Sequence, residues 1–173
     1  MQKANENYIR GVLFPTDFTV ASLAALRIYL ERYAGTAMRL FLVHGYRAGD
    51  SIPELLFHSP TSIARALAGN DFAEACAVLK NRFGFITTLG CTVFSGKNQA
   101  AFENFIAGYG ISEAIVVHGY ESKRRDARSF GLEGFIRASD LQISQINAPE
   151  ILRLNASDSV AGLFSSGAEG LKP

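Results

Sequence analysis

Asp17 is the side chain of this sequence best placed to do chemistry. It stands in the run Val12-Leu13-Phe14-Pro15-Thr16-Asp17-Phe18-Thr19. The apolar start of that run reads as a strand buried on both faces, and Pro15 ends it because proline offers no N–H to a neighbouring strand. In an open α/β sheet, ligands bind outside the carboxyl ends of the strands. A carboxylate just past the first strand is therefore a candidate contact for a small polar ligand. Asp17 or Thr19 also suits the cap of a helix that begins near Thr19. One carboxylate has two oxygens, so capping and ligand contact are compatible.

Two histidines and a basic loop are the other candidates. Val-His-Gly-Tyr occurs at 43–46 and again at 117–120, each time at the end of an expected strand. With strand order 3-2-1-4-5, His44 and His118 would flank Asp17, an arrangement suited to acid–base or metal chemistry. Core histidines followed by turn-opening glycines are the plainer reading. His58 falls in a loop and no His-Glu-x-x-His pattern occurs, so no metal site is expected. The loop after His118 carries Lys123, Arg124, Arg125 and Arg128 among Glu121 and Asp126. Arginine forks bind phosphate oxygens well, although charged exposed loops are commonplace. Ser95-Gly96-Lys97 is like the end of a P-loop, but Cys91 stands where the first glycine belongs and Asn98 follows the lysine. A glycine turn opening a helix explains it better. Without a Gly-x-Ser-x-Gly elbow or the paired acidic cluster of a phospho-receiver, no catalytic residue is assigned.

These residues must be positioned by the elements around them. After the first strand, Leu23, Leu26, Leu30 and Tyr33 recur at helical spacing, predicting a helix from about Val20 to Ala34 with Gly35 as its C-terminal cap. Met38 to His44 reads as a second strand. Gly45 to Pro60 reads as a loop with an apolar island, Ile52 to Phe57. Thr61 is placed to cap a helical stretch that Gly69-Asn70 interrupts before a firmer helix from Asp71 to Phe83, with Cys76 on its inner face. Phe85 to Phe94 predicts a third strand, Asn98 to Tyr109 a helix, and Ala114 to His118 a fourth strand. Gly119 to Phe130 reads as an exposed loop. Leu132, Phe135, Ile136, Ser139, Ile143 and Ile146 then share helical spacing, predicting a helix over Leu132 to Ile146. Asn147-Ala148-Pro149 stops it, and Glu150 to Leu154 follows as a last strand. Strand–helix alternation of this length calls for a doubly wound, five-stranded parallel sheet with helices on both faces.

Composition bounds the rest. A chain of 173 residues with 48% apolar and 19% charged residues fits one globular α/β domain, here residues 1–154. The Ser-, Gly- and Ala-rich stretch 155–173 reads as a disordered tail. A formal net charge of +1 provides no global attraction to nucleic acid or an anionic membrane. Two cysteines make no disulfide framework, the N-terminal residues are polar, and no run approaches the ~18 apolar residues of a membrane span. A cytoplasmic protein with neither nucleic-acid nor membrane partners is the expectation, and Asn155-Ala156-Ser157 is then a chance sequon.

With that layout, the chain resembles the universal stress protein family. Val12 to Thr19 resembles the family's opening strand and aspartate. Leu42-Val43-His44 resembles its second strand, Val93-Phe94-Ser95-Gly96 its strand–glycine–helix junction, and Asn147-Ala148-Pro149-Glu150-Ile151-Leu152 its proline-led last strand. The four matches fall in the family's order. Many members bind ATP or AMP through the first-strand aspartate, backbone at the end of the second strand, and a glycine motif after the fourth. That motif reads Gly-x-x-Gly, nine residues, then Gly-Ser or Gly-Thr, so that backbone N–H groups and a hydroxyl reach the phosphates.

Here the motif is broken. Gly119 supplies its first glycine, but Ser122 stands at the second and Leu132 where the last should be. The resemblance therefore implies a non-enzymatic, homodimeric stress or regulatory domain, paired through Glu150 to Leu154, with weakened or lost ATP binding. The candidate nucleotide contacts are Thr16, Asp17, Gly45, Gly119, Ser122 and Arg125, with ATP or AMP as the only cofactor to consider. A functional adenine-nucleotide binder using Asp17 and the basic loop 121–128 is the alternative. An enzyme using His44 and His118 is a third reading.

Overall fold

The computed structural model describes residues 9–33, 35–49 and 59–147. The elements run β1 (Arg10–Pro15), α1 (Val20–Arg32), β2 (Met38–Tyr46), α2 (Pro60–Arg82), β3 (Ile86–Phe94), α3 (Gln99–Tyr109), β4 (Ile111–His118), β5 (Ser129–Phe130), α4 (Glu133–Arg137) and β6 (Gln142–Asn147). Five strands form a parallel sheet in the order β3-β2-β1-β4-β6. The sixth, β5, is antiparallel to the end of β2, pairing Phe130 with Gly45 and Ser129 with Tyr46.

Alternation along the two central strands builds a core on each face of the sheet. Val12 and Phe14 of β1 and Leu40 and Leu42 of β2 join a cluster with Leu23, Leu26 and Leu30 of α1 and Phe72 and Leu79 of α2. Leu13, Phe41 and Val43 point the other way, into a cluster with Phe102 of α3 and Ile136 of α4. Each strand residue thus has a fixed side, and this holds the carboxyl ends of β1, β2 and β4 at one edge.

Caps account for most of the boundaries. Thr19 caps α1, its side chain accepting from Ser22 N–H, while Tyr33 rather than Gly35 closes the helix, donating its N–H to the Leu30 carbonyl. Ser59, with Pro60 behind it, caps α2 in place of Thr61. Gly69, at φ 73° inside α2, marks the expected interruption. Asn98 caps α3, and Gly110 ends it in the left-handed conformation.

The main correction concerns Leu132 to Ile146, which is not one helix. The helix α4 stops at Arg137, and the fifth parallel strand is β6, Gln142–Asn147, beside β4. The physical reason lies in the spacing of Ile143 and Ile146. Three residues apart, they would share a helix face, but on a strand they point to opposite faces. Ile143 packs into one cluster and Ile146 against the other. Ser139 closes α4 through its N–H and hydroxyl, both donated to the Ile136 carbonyl. The expected strand Glu150–Leu154, the apolar island 52–57 and the tail 155–173 lie outside the described residues. Among the described residues, no helix is long and apolar enough to cross a membrane.

Candidate functional site

The site begins where β1 runs out. Thr16 extends the pairing with β2 by donating its N–H to the Val43 carbonyl at 2.9 Å. Its hydroxyl oxygen accepts from Phe18 N–H at 3.0 Å and lies 2.8 Å from the Ser22 hydroxyl. These bonds turn the chain sharply enough that Phe18 sits at φ 58°, a left-handed conformation unfavourable for a bulky residue. Burial holds it there. The Phe18 ring is fully buried, with its centroid 5.2 Å from His44 and 5.4 Å from Phe72.

Asp17 is 0% exposed, and both of its oxygens are engaged. Oδ1 accepts from the Thr19 N–H at 3.0 Å and the Thr19 hydroxyl at 2.6 Å. Oδ2 accepts from the Tyr120 hydroxyl at 2.7 Å and the Lys123 N–H at 2.8 Å. Half of these bonds belong to the helix cap and half to the loop after β4. Arg125 completes the closure: Nε donates to the Asp17 carbonyl at 2.7 Å, and the guanidinium also donates to the Phe18 carbonyl. The loop therefore lies over the β1–α1 turn and supplies the hydrogen-bond donors that a ligand would have to bring.

The neighbouring strand end is closed in a similar way. The His44 Nδ1–H donates to the Thr16 carbonyl at 2.7 Å, which leaves Nε2 to accept from the Ser129 hydroxyl at 2.9 Å. Burial, chiefly, lowers the pKa of the ring below the ordinary 6.5, against the opposing pull of the Thr16 carbonyl and the Asp17 carboxylate. Gly45 pairs with Phe130, and a Cβ at that position would meet the Phe130 carbonyl oxygen at 2.3 Å. Only glycine allows β5 so close.

Thr16, Gly45 and Ser122 line one cavity of about 130 Å³, together with His44, Tyr120 and Phe130. Ligand pockets typically occupy about 300–1,000 Å³. Asp17 is not among that cavity's walls. Gly119 takes φ 81° and turns the chain out of β4. Arg125 lines a separate depression of about 230 Å³ with Thr19, Gly69 and Asn70. A cavity of about 530 Å³ opens beyond β2 and β3, between Arg47, Lys97, Phe130 and Phe135, and holds none of the expected contacts. His118 is exposed at the end of β4, whereas His44 is buried with both nitrogens engaged. Among the described residues, no three metal-ligating side chains gather.

Sequence reasoning missed Tyr120 and Ser129, and it took Lys123 for a side-chain cation of the basic loop. Tyr120 carried a signal, as the last residue of the second Val-His-Gly-Tyr. Lys123 acts through its backbone, which no side-chain pattern reveals.

No family model matches the chain, and no curated protein matches it. Among solved structures, the fold is similar to that of the hypothetical protein PH0823, at 18% identity and a TM-score of 0.52, covering 80% of this chain and 94% of the other. A universal stress protein family member from Burkholderia pseudomallei aligns at 15% identity and a TM-score of 0.48, covering 83% of this chain and 100% of the other. The hypothetical protein MJ0577 aligns at 16% identity and a TM-score of 0.43, covering 80% and 96%. The strand order and the two helix layers are those that the resemblance to the universal stress protein family implies.

Proposed function

We propose that this chain is a universal-stress-protein-like regulatory domain that acts by binding and association, without turnover, and whose ATP binding is weakened or lost. One observation carries the reading: all four hydrogen bonds to the Asp17 carboxylate come from the chain itself. An adenosine ribose would have to displace Tyr120 and Lys123 to reach it. Ser122 in place of the second motif glycine, and Leu132 where the motif's Gly-Ser or Gly-Thr pair should begin, further thin the phosphate contacts. Each charge-assisted hydrogen bond lost costs about 1.5–3 kcal/mol, so losing several turns micromolar binding into millimolar.

The test is calorimetric titration with ATP and with AMP. The expected result is no affinity tighter than roughly 100 μM, or about −5.5 kcal/mol, and no further loss in Asp17→Asn. Micromolar binding abolished by Arg125→Ala would overturn the proposal. It would establish instead the alternative, an adenine-nucleotide binder that uses Asp17 and the basic loop 121–128.

A further inference from the structure

Cys76 and Cys91 were unremarkable in sequence, yet the fold brings them together. Cys76 sits on the inner face of α2, 7% exposed, in the cluster that also holds Phe72 and Leu79. Cys91 lies on β3 in register with Leu42 of β2, half-buried and packed against that same cluster. Cys91 shares the β3 face of Leu89 and Val93, which turns to the same cluster, so both thiols lie at the α2–β3 interface, and no disulfide joins them. The chain has no other cysteine.

We propose that this pair is an oxidation site, at which a peroxide converts two thiols into an intramolecular disulfide tying α2 to β3. The two sulfurs have distinct parts. Interaction with Cys76 holds the Cys91 thiol below its ordinary pKa, against burial, while the same interaction and burial push Cys76 up. Cys91 is also the more accessible, on a strand at the edge of the sheet. Its thiolate attacks a peroxide oxygen: an S–O bond forms, the O–O bond breaks, and the departing hydroxide takes up a proton as water. The Cys76 sulfur then attacks the sulfenic sulfur of Cys91. An S–S bond forms, the S–O bond breaks, and hydroxide leaves with the Cys76 proton as a second water. In sum, two thiols and one hydrogen peroxide give one disulfide and two waters. A resolving thiol in the same interface makes the second step intramolecular, ahead of a second peroxide.

The test is peroxide treatment of the full chain, followed by alkylation under denaturing conditions and intact-mass measurement. The expected product has lost two hydrogens, takes no alkyl group, yields a peptide linking Cys76 to Cys91, and reverts with dithiothreitol. In Cys76→Ser, the Cys91 sulfenic acid should persist long enough for dimedone to trap it, then advance to sulfinic acid. In Cys91→Ser, Cys76 should resist the same dose. Peptide mapping of the unmutated chain keeps the test valid if a variant fails to fold. Both thiols remaining alkylatable, a Cys91 sulfinic acid beside an intact Cys76 in the unmutated chain, or a disulfide only between two chains would each overturn the proposal.

Discussion

The His44 ring is enclosed by two hydrogen bonds, to the Thr16 carbonyl and the Ser129 hydroxyl, in a buried setting that favours the neutral form. Burial lowers its pKa from 6.5, and Arg125 acts in the same direction, against the Thr16 carbonyl, Asp17 and Asp126. The unfolded chain therefore takes up this proton at higher pH than the folded one. The stabilisation is complete above about pH 6.5 and is lost as pH falls through the lower folded value. In urea unfolding, the stability of the unmutated chain should decline below about pH 6.5 more steeply than that of His44→Gln. Parallel declines would show that His44 does not titrate on unfolding. At this scale the capping role of Asp17 and Thr19 was legible in sequence, since polar side chains between a terminated strand and a helix start suit a cap. The loop partners of Asp17 were not, because nothing in the local pattern says where a distant loop folds back.

Among the elements, β5 is the shortest and the one that depends most on a single residue. It rests on Gly45, which has no side chain to hold off the Phe130 carbonyl oxygen. In Gly45→Ala the new methyl group meets backbone, so β5 must shift rather than a flexible side chain yield. The expected cost is about 1–3 kcal/mol, with faster amide hydrogen exchange across residues 120–130. Unchanged exchange would show that β5 does not hold the loop down. Elements with one dominant periodicity, such as β1, α1 and α3, were legible to within a few residues. The 132–147 stretch was not, because isoleucines three apart satisfy both a helix face and the two faces of a strand that packs on both sides. Only its neighbour β4 settles which.

Assembly belongs to the whole molecule. The described sheet ends in β3 on one side and β6 on the other, and unpaired strand edges invite pairing. We expect a symmetric homodimer through Glu150–Leu154, in which Arg153 opposes the partner's Glu150. Light scattering should then return twice the mass of one chain. A single-chain mass throughout the micromolar range would remove the idea. Fold class and layer order were readable from alternation alone, since a chain of this length has few other ways to bury strands that are apolar on both faces. The closure of the site was not readable, as it depends on the three-dimensional path of a polar loop.

The closure of Asp17 also says something about the order in which the protein assembles. Its partners Tyr120 and Lys123 lie 103 and 106 residues along the chain, so these bonds cannot form until β1 and β4 have met. Contacts of such sequence separation bring a large loop-closure cost and tend to form after the main barrier has been crossed. Tyr120→Phe should therefore act almost wholly on the unfolding limb of a chevron plot. A loss of about 1.5–3 kcal/mol would accelerate unfolding by roughly 10- to 150-fold and leave the refolding rate nearly unchanged. A refolding limb slowed by a comparable factor would instead place the Asp17 cap in the folding nucleus. With the late order, the loop is the last segment to settle on the sheet and the first to leave it. The buried carboxylate would then meet water in brief openings, long before the core itself comes apart.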